Sequence, residues 1–243
     1  MKITITENEK AFTNAAAWRI IGQILRKQRS VIGLSTGRTT GELHRTVAKI
    51  HKEYPFDVSG VTFFGQDEVV GVPREYFGSC WKMLKTELID DIGTDDGHFL
   101  MLPVKSDDYS KDCKEFIEEL ESRGGIDLLI VGIGENGHIG FNEPGEAFEL
   151  ETHCVNLTAE TIEANKRFFD GNEDLVPKQA YTMGIKTIMQ ARKVLMVANG
   201  VGKADIIKKA FFGPVTPEVP ASILQMHPDF TLVLDAEAAS KLD

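Results

Sequence analysis

IDLLIVGIGENGHIGFNEPG, residues 126–145, opens as an unbroken apolar run and then breaks into Gly132, Gly134, Gly137 and Gly140. So short an apolar run ending in glycines predicts a buried parallel strand, Ile126 to Val131, running out into a loop. Asn136, His138, Asn142 and Glu143 stand in that loop. Open α/β sheets place their ligands at the carboxyl ends of such strands. Working outward, further strands are expected at Met1–Thr6, Ser30–Leu34, Val61–Gly65, His98–Leu102, Lys193–Ala198 and Phe230–Leu234. Helical spacing is expected at Glu7–Lys27, Glu42–His51, Phe77–Ile89, Lys111–Arg123, Ala159–Phe169 and from Lys203 to about Phe212; Asn172–Lys178 reads as loop. Strands that alternate with helices along the whole chain predict an α/β class with a mainly parallel sheet. No internal repeat or domain-length linker interrupts it, so one domain over residues 1–243 is expected.

Composition narrows the function. The 27 Lys and Arg against 37 Asp and Glu leave a formal net charge of −10, which argues against nucleic acid and anionic membranes as partners. Cys80, Cys113 and Cys154 are odd in number and unpaired in spacing, and read as reduced thiols of a cytoplasmic protein. The N-terminal MKITITENEK has no signal-peptide core, and no apolar run approaches membrane-spanning length.

Polar clusters stand at several predicted strand ends. Ser35-Thr36-Gly37-Arg38-Thr39-Thr40 lies between a strand and a helix start, where backbone N–H groups and hydroxyls can cradle an anion; an empty Ser/Thr cap is the plainer alternative. Asp67, the loop at Asn136–Glu143, and Lys203 close three more strands. In a parallel sheet these ends share one edge, and their convergence weighs more than any one cluster. Gly132–Gly137 also fits GxGxxG, but Gly140 and Pro144 oppose the helix a dinucleotide site needs, and no acidic ribose partner follows. His138 alone would read as a loop histidine. With Glu143 five residues on, its tautomer and orientation can be set for acid–base work. Neither a second histidine nor a carboxylate pair stands at metal-ligand spacing.

These residues also carry a resemblance. Gly33-Leu34-Ser35-Thr36-Gly37, Asp67-Glu68, GIGENGHIGFNEP (Gly132 to Pro144), ANKRFF (Ala164 to Phe169), Val176-Pro177-Lys178, Thr182-Met183-Gly184, Gly202-Lys203-Ala204 and Pro220-Ala221-Ser222 are similar, nearly end to end, to the glucosamine-6-phosphate deaminase (isomerase) family. The resemblance implies a three-layer Rossmann-like fold with a mobile lid at about 144–177. It implies a cofactor-free reaction in which glucosamine 6-phosphate is opened, isomerised and deaminated to fructose 6-phosphate. Asp67 would be the base at C2 and C1. His138 would assist ring opening, supported by Glu143 and Asn136. Ser35, Thr36, Gly37, Arg38, Thr39, Gly134, Arg167 and Lys203 would hold the substrate and its phosphate. The implied partner is a small sugar phosphate, with the protein a monomer or small homo-oligomer and no metal in the site.

Departures from the family pattern bear on specificity. Arg38 stands where Gly or Ala is usual and Thr40 where Pro is usual. Gln66-Asp67-Glu68-Val69 replaces Leu-Asp-Glu-Tyr, and Gly78-Ser79-Cys80 is similar to galactosamine-6-phosphate isomerases. Some members have Asp in place of Asn136. Rival readings are therefore the galactosamine epimer giving tagatose 6-phosphate, a 6-phosphogluconolactonase, and a non-catalytic sugar-phosphate sensor. Where allosteric members carry basic residues near the lid, this chain has His153 and Val155, and it lacks their long C-terminal extension. No activation by N-acetylglucosamine 6-phosphate is expected. A sigmoidal substrate curve made hyperbolic by that compound would overturn this.

Overall fold

A computed structural model describes residues 1–166, 169 and 172–242. Leu128–Val131 of the opening stretch forms a strand whose side chains alternate between two apolar layers. Leu128 and Ile130 pack with Phe12, Ile20, Leu43 and Leu88, whereas Leu129 and Val131 pack with Phe116, Ile188, Ile207 and Phe211. A strand buried on both faces needs apolar side chains of both parities, each stabilising by about 1.5–3 kcal/mol on full burial.

The elements follow in order: β1 (Lys2–Thr6), α1 (Glu9–Arg26), β2 (Val31–Leu34), α2 (Arg38–Glu53), β3 (Thr62–Gly65), β4 (Asp67–Val69), α3 (Cys80–Leu84), α4 (Asp90–Ile92), β5 (Phe99–Leu100), α5 (Tyr109–Ser122), β6 (Leu128–Val131), β7 (His153–Asn156), α6 (Ala159–Asn165), β8 (Gln179–Thr182), α7 (Ile185–Met189), β9 (Val194–Ala198), α8 (Ala204–Phe212) and β10 (Phe230–Asp235). A π-helical turn, Lys85–Ile89, joins α3 to α4. The main sheet is wholly parallel in the order β1-β10-β9-β6-β2-β3-β5. Helices α1 to α4 cover one face, and α5, α7 and α8 the other. This is the expected three-layer α/β architecture. From β2 the chain steps outward through β3 to β5, then returns to β6 on the other side of β2. The switch point, where such folds bind ligands, therefore lies between the ends of β2 and β6.

The smaller antiparallel sheet, β4-β8-β7, was not expected. Its strands have three or four residues each, and long-range pairing forms them: Asp67 stands opposite Thr182, and His153 opposite Thr182 from the other side. Helix α2 starts at Arg38, earlier than its apolar spacing indicates, because Gly37 (φ 147°) makes the turn into it. Among the described residues no helix is long and apolar enough to cross a membrane.

Candidate active site

Three loops meet at the switch point. The first follows β2. Ser35 is buried and its Oγ has no hydrogen-bond partner, and Thr36 lies partly exposed with its Oγ1 3.5 Å from Cys80 Sγ. Gly37 and Arg38 are exposed, and no side chain caps the start of α2. The first-turn N–H groups of a helix lack internal acceptors, and the helix dipole adds positive potential, so this end suits an anion. Thr39 Oγ1 donates to Asn199 Oδ1 at 2.6 Å, which ties the loop to the end of β9.

Lys203 follows β9, and its Nζ donates to the Ile133 carbonyl at 2.7 Å. Burial holds this ammonium below the usual lysine range; Glu135 favours the charge and Arg38 opposes it. Arg38 and Lys203 thus sense each other across one crevice, as a pair of cations gathered for an anion would. Arg167, the third predicted cation, lies outside the described residues.

The second loop carries β3 into β4. Asp67 is buried, and Thr182 Oγ1 donates to its Oδ1 at 2.6 Å. Burial pushes the Asp67 carboxyl up to about 6; hydrogen bonds from Thr182 and Gln66 and the charge of His138 pull it back. Its neighbour Glu68 serves structure. It is fully buried and accepts from the backbone N–H of Val69, Cys80 and Trp81, each at 2.9 Å, which anchors the start of α3. Burial pushes this carboxyl up as well, to about 7, and raises the Cys80 thiol well above its ordinary value.

The third loop is the opening stretch. Gly134 N–H donates to the His138 carbonyl at 3.0 Å, and the His138 ring lies so close to Gly134 that a side chain there would strike it. His138 Nδ1 is buried 3.7 Å from Glu143 Oε1, an ion-pair separation longer than a hydrogen bond, and has no other partner. Asn136 acts through its neighbours: Nδ2 donates to Glu143 Oε2 at 2.8 Å, and Oδ1 accepts the His138 backbone N–H at 3.2 Å. The His138 ring foremost, with Asn136 and Thr161, holds the Glu143 carboxyl below its usual range. Asn142 is wholly buried and donates to the carbonyls of Ile139 and Met183, fastening the loop to the residues after β8. Gly140 (φ +59°) lies against the Asp67 carboxylate and the Thr182 hydroxyl, so the second and third loops form one body.

All the predicted site residues that are described therefore converge on one edge of the sheet. Thr182, Gly140 and Thr161 were not singled out. Thr182-Met183-Gly184 was visible as a motif, but its contact with Asp67 exists only through the β4–β8 pairing. Among the described residues no group of three or more His, Cys, Asp or Glu is placed to hold a metal ion.

The model of the glucosamine-6-phosphate isomerases/6-phosphogluconolactonase family matches residues 7–233. The chain belongs to this family. Within it, the chain is 41% identical over 243 residues to a glucosamine-6-phosphate deaminase of Clostridium botulinum (strain Loch Maree / Type A3), covering 100% of this chain and 99% of the relative. It is 40% identical over 242 residues to the deaminase of Halothermothrix orenii, with both chains covered in full. A solved monomeric glucosamine-6-phosphate deaminase superposes with a TM-score of 0.94 at 32% identity, over 99% of this chain and 100% of that one. The 6-phosphogluconolactonase from Trypanosoma brucei shares the fold at a TM-score of 0.76 and 19% identity, over 100% of this chain and 98% of that one. The family framework thus spans nearly the whole chain, the positions of Arg38, Thr40, Gln66 and Val69 included.

Proposed function

We propose that this protein is a glucosamine-6-phosphate deaminase, converting glucosamine 6-phosphate and water to fructose 6-phosphate and ammonia. One observation supports this most: a buried carboxylate, Asp67, with its proton affinity raised towards neutrality, stands in the same crevice as the His138–Glu143 pair. Proton transfer beside an imine or carbonyl needs a positioned base and an acid–base group at the ring oxygen. His138 moves a proton between the C1 hydroxyl and the ring oxygen, which opens the pyranose. Asp67 then takes the C2 proton to leave an enolamine and returns a proton to C1. Water adds to the resulting C2 imine, and the C2–N bond breaks to release ammonia and the ketose. Glu143, set by Asn136, orients His138. Ser35, Thr36, Gly37, Arg38, Thr39, Gly134, Arg167 and Lys203 hold the sugar phosphate, and residues from about 144 to 177 form a lid over it.

Relatives named glucosamine-6-phosphate deaminase at 40% identity and above over the full chain favour the glucosamine epimer over galactosamine 6-phosphate. The deciding experiment incubates the protein with each hexosamine 6-phosphate and measures ammonia and ketose phosphate. Fructose 6-phosphate and ammonia in equal amounts are expected. Turnover confined to the galactosamine substrate would transfer the assignment, and turnover of neither would overturn it. Lys203→Met is expected to raise KM by a few tens of fold with a smaller effect on kcat, since a charge-assisted hydrogen bond contributes about 1.5–3 kcal/mol. Inorganic phosphate should weaken in parallel as a competitive inhibitor. An unchanged inhibition constant would remove Lys203 from the phosphate site.

A further inference from the structure

Helix α6 reaches the proposed machinery through one side chain. Thr161 Oγ1 donates to Glu143 Oε1 at 3.1 Å, across 18 positions of sequence. That oxygen is also the one facing His138 Nδ1, which is buried and otherwise without a partner. Thr161 is itself held. Thr158, the residue that caps α6, donates from its Oγ1 to Thr161 Oγ1 at 3.1 Å, and its own Oγ1 accepts the Thr161 backbone N–H at 3.2 Å. The hydroxyls therefore form a directed chain from the start of α6, through Thr158 and Thr161, to the carboxylate oxygen opposite the histidine. Linked hydrogen bonds of this kind polarise and strengthen one another. The other carboxylate oxygen is fixed by Asn136, from the histidine's own loop. Glu143 is thus gripped by two separate elements, one at each oxygen.

A carboxylate gripped only by Asn136 would keep its place but remain free to rotate about that one bond. The second grip decides where Oε1 points, and Oε1 is the atom His138 must meet. In unliganded sites such contacts are often long and tighten in the substrate complex. Thr161 holds the very oxygen that stands 3.7 Å from Nδ1.

We propose that Thr161 is a positioning residue, through which helix α6 aims Glu143 at His138 for the ring-opening step. The inference rests on the deaminase function proposed above. It goes beyond that function in giving a residue outside the histidine loop a part in setting Glu143.

The test compares Thr161→Val, which keeps the branched shape and removes the hydroxyl, with Thr161→Ser, which keeps the hydroxyl. In steady-state assays of ammonia release from glucosamine 6-phosphate, the Val variant should lose about tenfold in kcat, as loss of a hydrogen bond to a charged group predicts. Its KM should stay within about twofold, because no phosphate contact is touched. The Ser variant should recover most of the lost kcat. Wild-type kcat in the Val variant, a change confined to KM, or a Ser variant no better than Val would each overturn the proposal while leaving the deaminase function standing. A wild-type protein that releases no ammonia would overturn both.

Discussion

Asp67→Asn is expected to lower kcat for ammonia release by about 10³-fold, the contribution of a well-placed general base. Asn matches the carboxylate in shape, and its Oδ1 can still accept the Thr182 hydroxyl that donates to Asp67 at 2.6 Å. What is removed is the ability to take a proton. Exchange of the C2 hydrogen with solvent should stop along with turnover, while inorganic phosphate should bind at the same site as before. Retention of near-normal exchange would show that another group is the base. The same substitution should also stabilise the protein. Burial raises the Asp67 carboxyl from 3.8 unfolded to about 6 folded. Below about pH 4 the group is protonated in both states, and no penalty arises. Between about pH 4 and 6 the unfolded chain gives up this proton while the folded protein keeps it, so stability falls, and above about 6 the loss is complete. A shift of two units corresponds to roughly 3 kcal/mol. The Asp67→Asn side chain carries no charge at any pH, so the variant's melting temperature should exceed that of wild type at pH 8, and the difference should vanish near pH 4. Activity runs the other way, since only the carboxylate is a base. Titration of the carboxyl by carbon NMR should therefore show a midpoint near 6, and kcat/KM should fall below it.

The main sheet was readable because burial on two faces forces apolar runs such as Leu128–Val131, and the glycines that end them mark the crevice. His138, Glu143 and Asp67 could be proposed from strand-end position and from the motif they share with the family. The smaller sheet could not be read, because His153–Asn156 and Gln179–Thr182 are short and polar and exist as strands only by pairing with each other and with β4. For the same reason Thr182, which holds the proposed base, and Thr161, which reaches Glu143, carried no local pattern. Glu68 stands next to Asp67 in the sequence, which says nothing of its role. Only the three backbone N–H groups it accepts show that it anchors α3. Side chains whose task is to hold other side chains leave little trace in periodicity, because their partners lie far away in sequence: 115 positions for Thr182 and Asp67.

Gly140 joins the two halves of the site, and Gly140→Ala should cost about 100-fold in kcat/KM. Its φ of +59° lies in the left-handed region, where an alanine costs on the order of 1 kcal/mol. That backbone penalty by itself predicts a small loss of stability and nothing specific to catalysis. The new methyl group is a different matter. It would sit 2.7 Å from Asp67 Oδ1 and 2.8 Å from Thr182 Oγ1, closer than real Cβ contacts occur. Neither atom is the free end of a long side chain. Asp67 is pinned by Thr182, whose hydroxyl also accepts the Phe141 N–H at 3.0 Å, one residue beyond the glycine itself. Relief of the clash must therefore move the proposed base, its hydrogen-bond donor, or the loop that aims His138. A displacement of about 1 Å at a reacting group is enough for a 10²-fold loss. Gly93→Ala supplies the control. Gly93 also has a positive φ, +73°, but a methyl group there meets nothing within 4 Å. Gly93→Ala should show only the modest fall in melting temperature that the backbone penalty predicts and keep its turnover, whereas Gly140→Ala should lose turnover. Equal activity in the two would mean that the contact between the histidine loop and Asp67 does not set the position of the base.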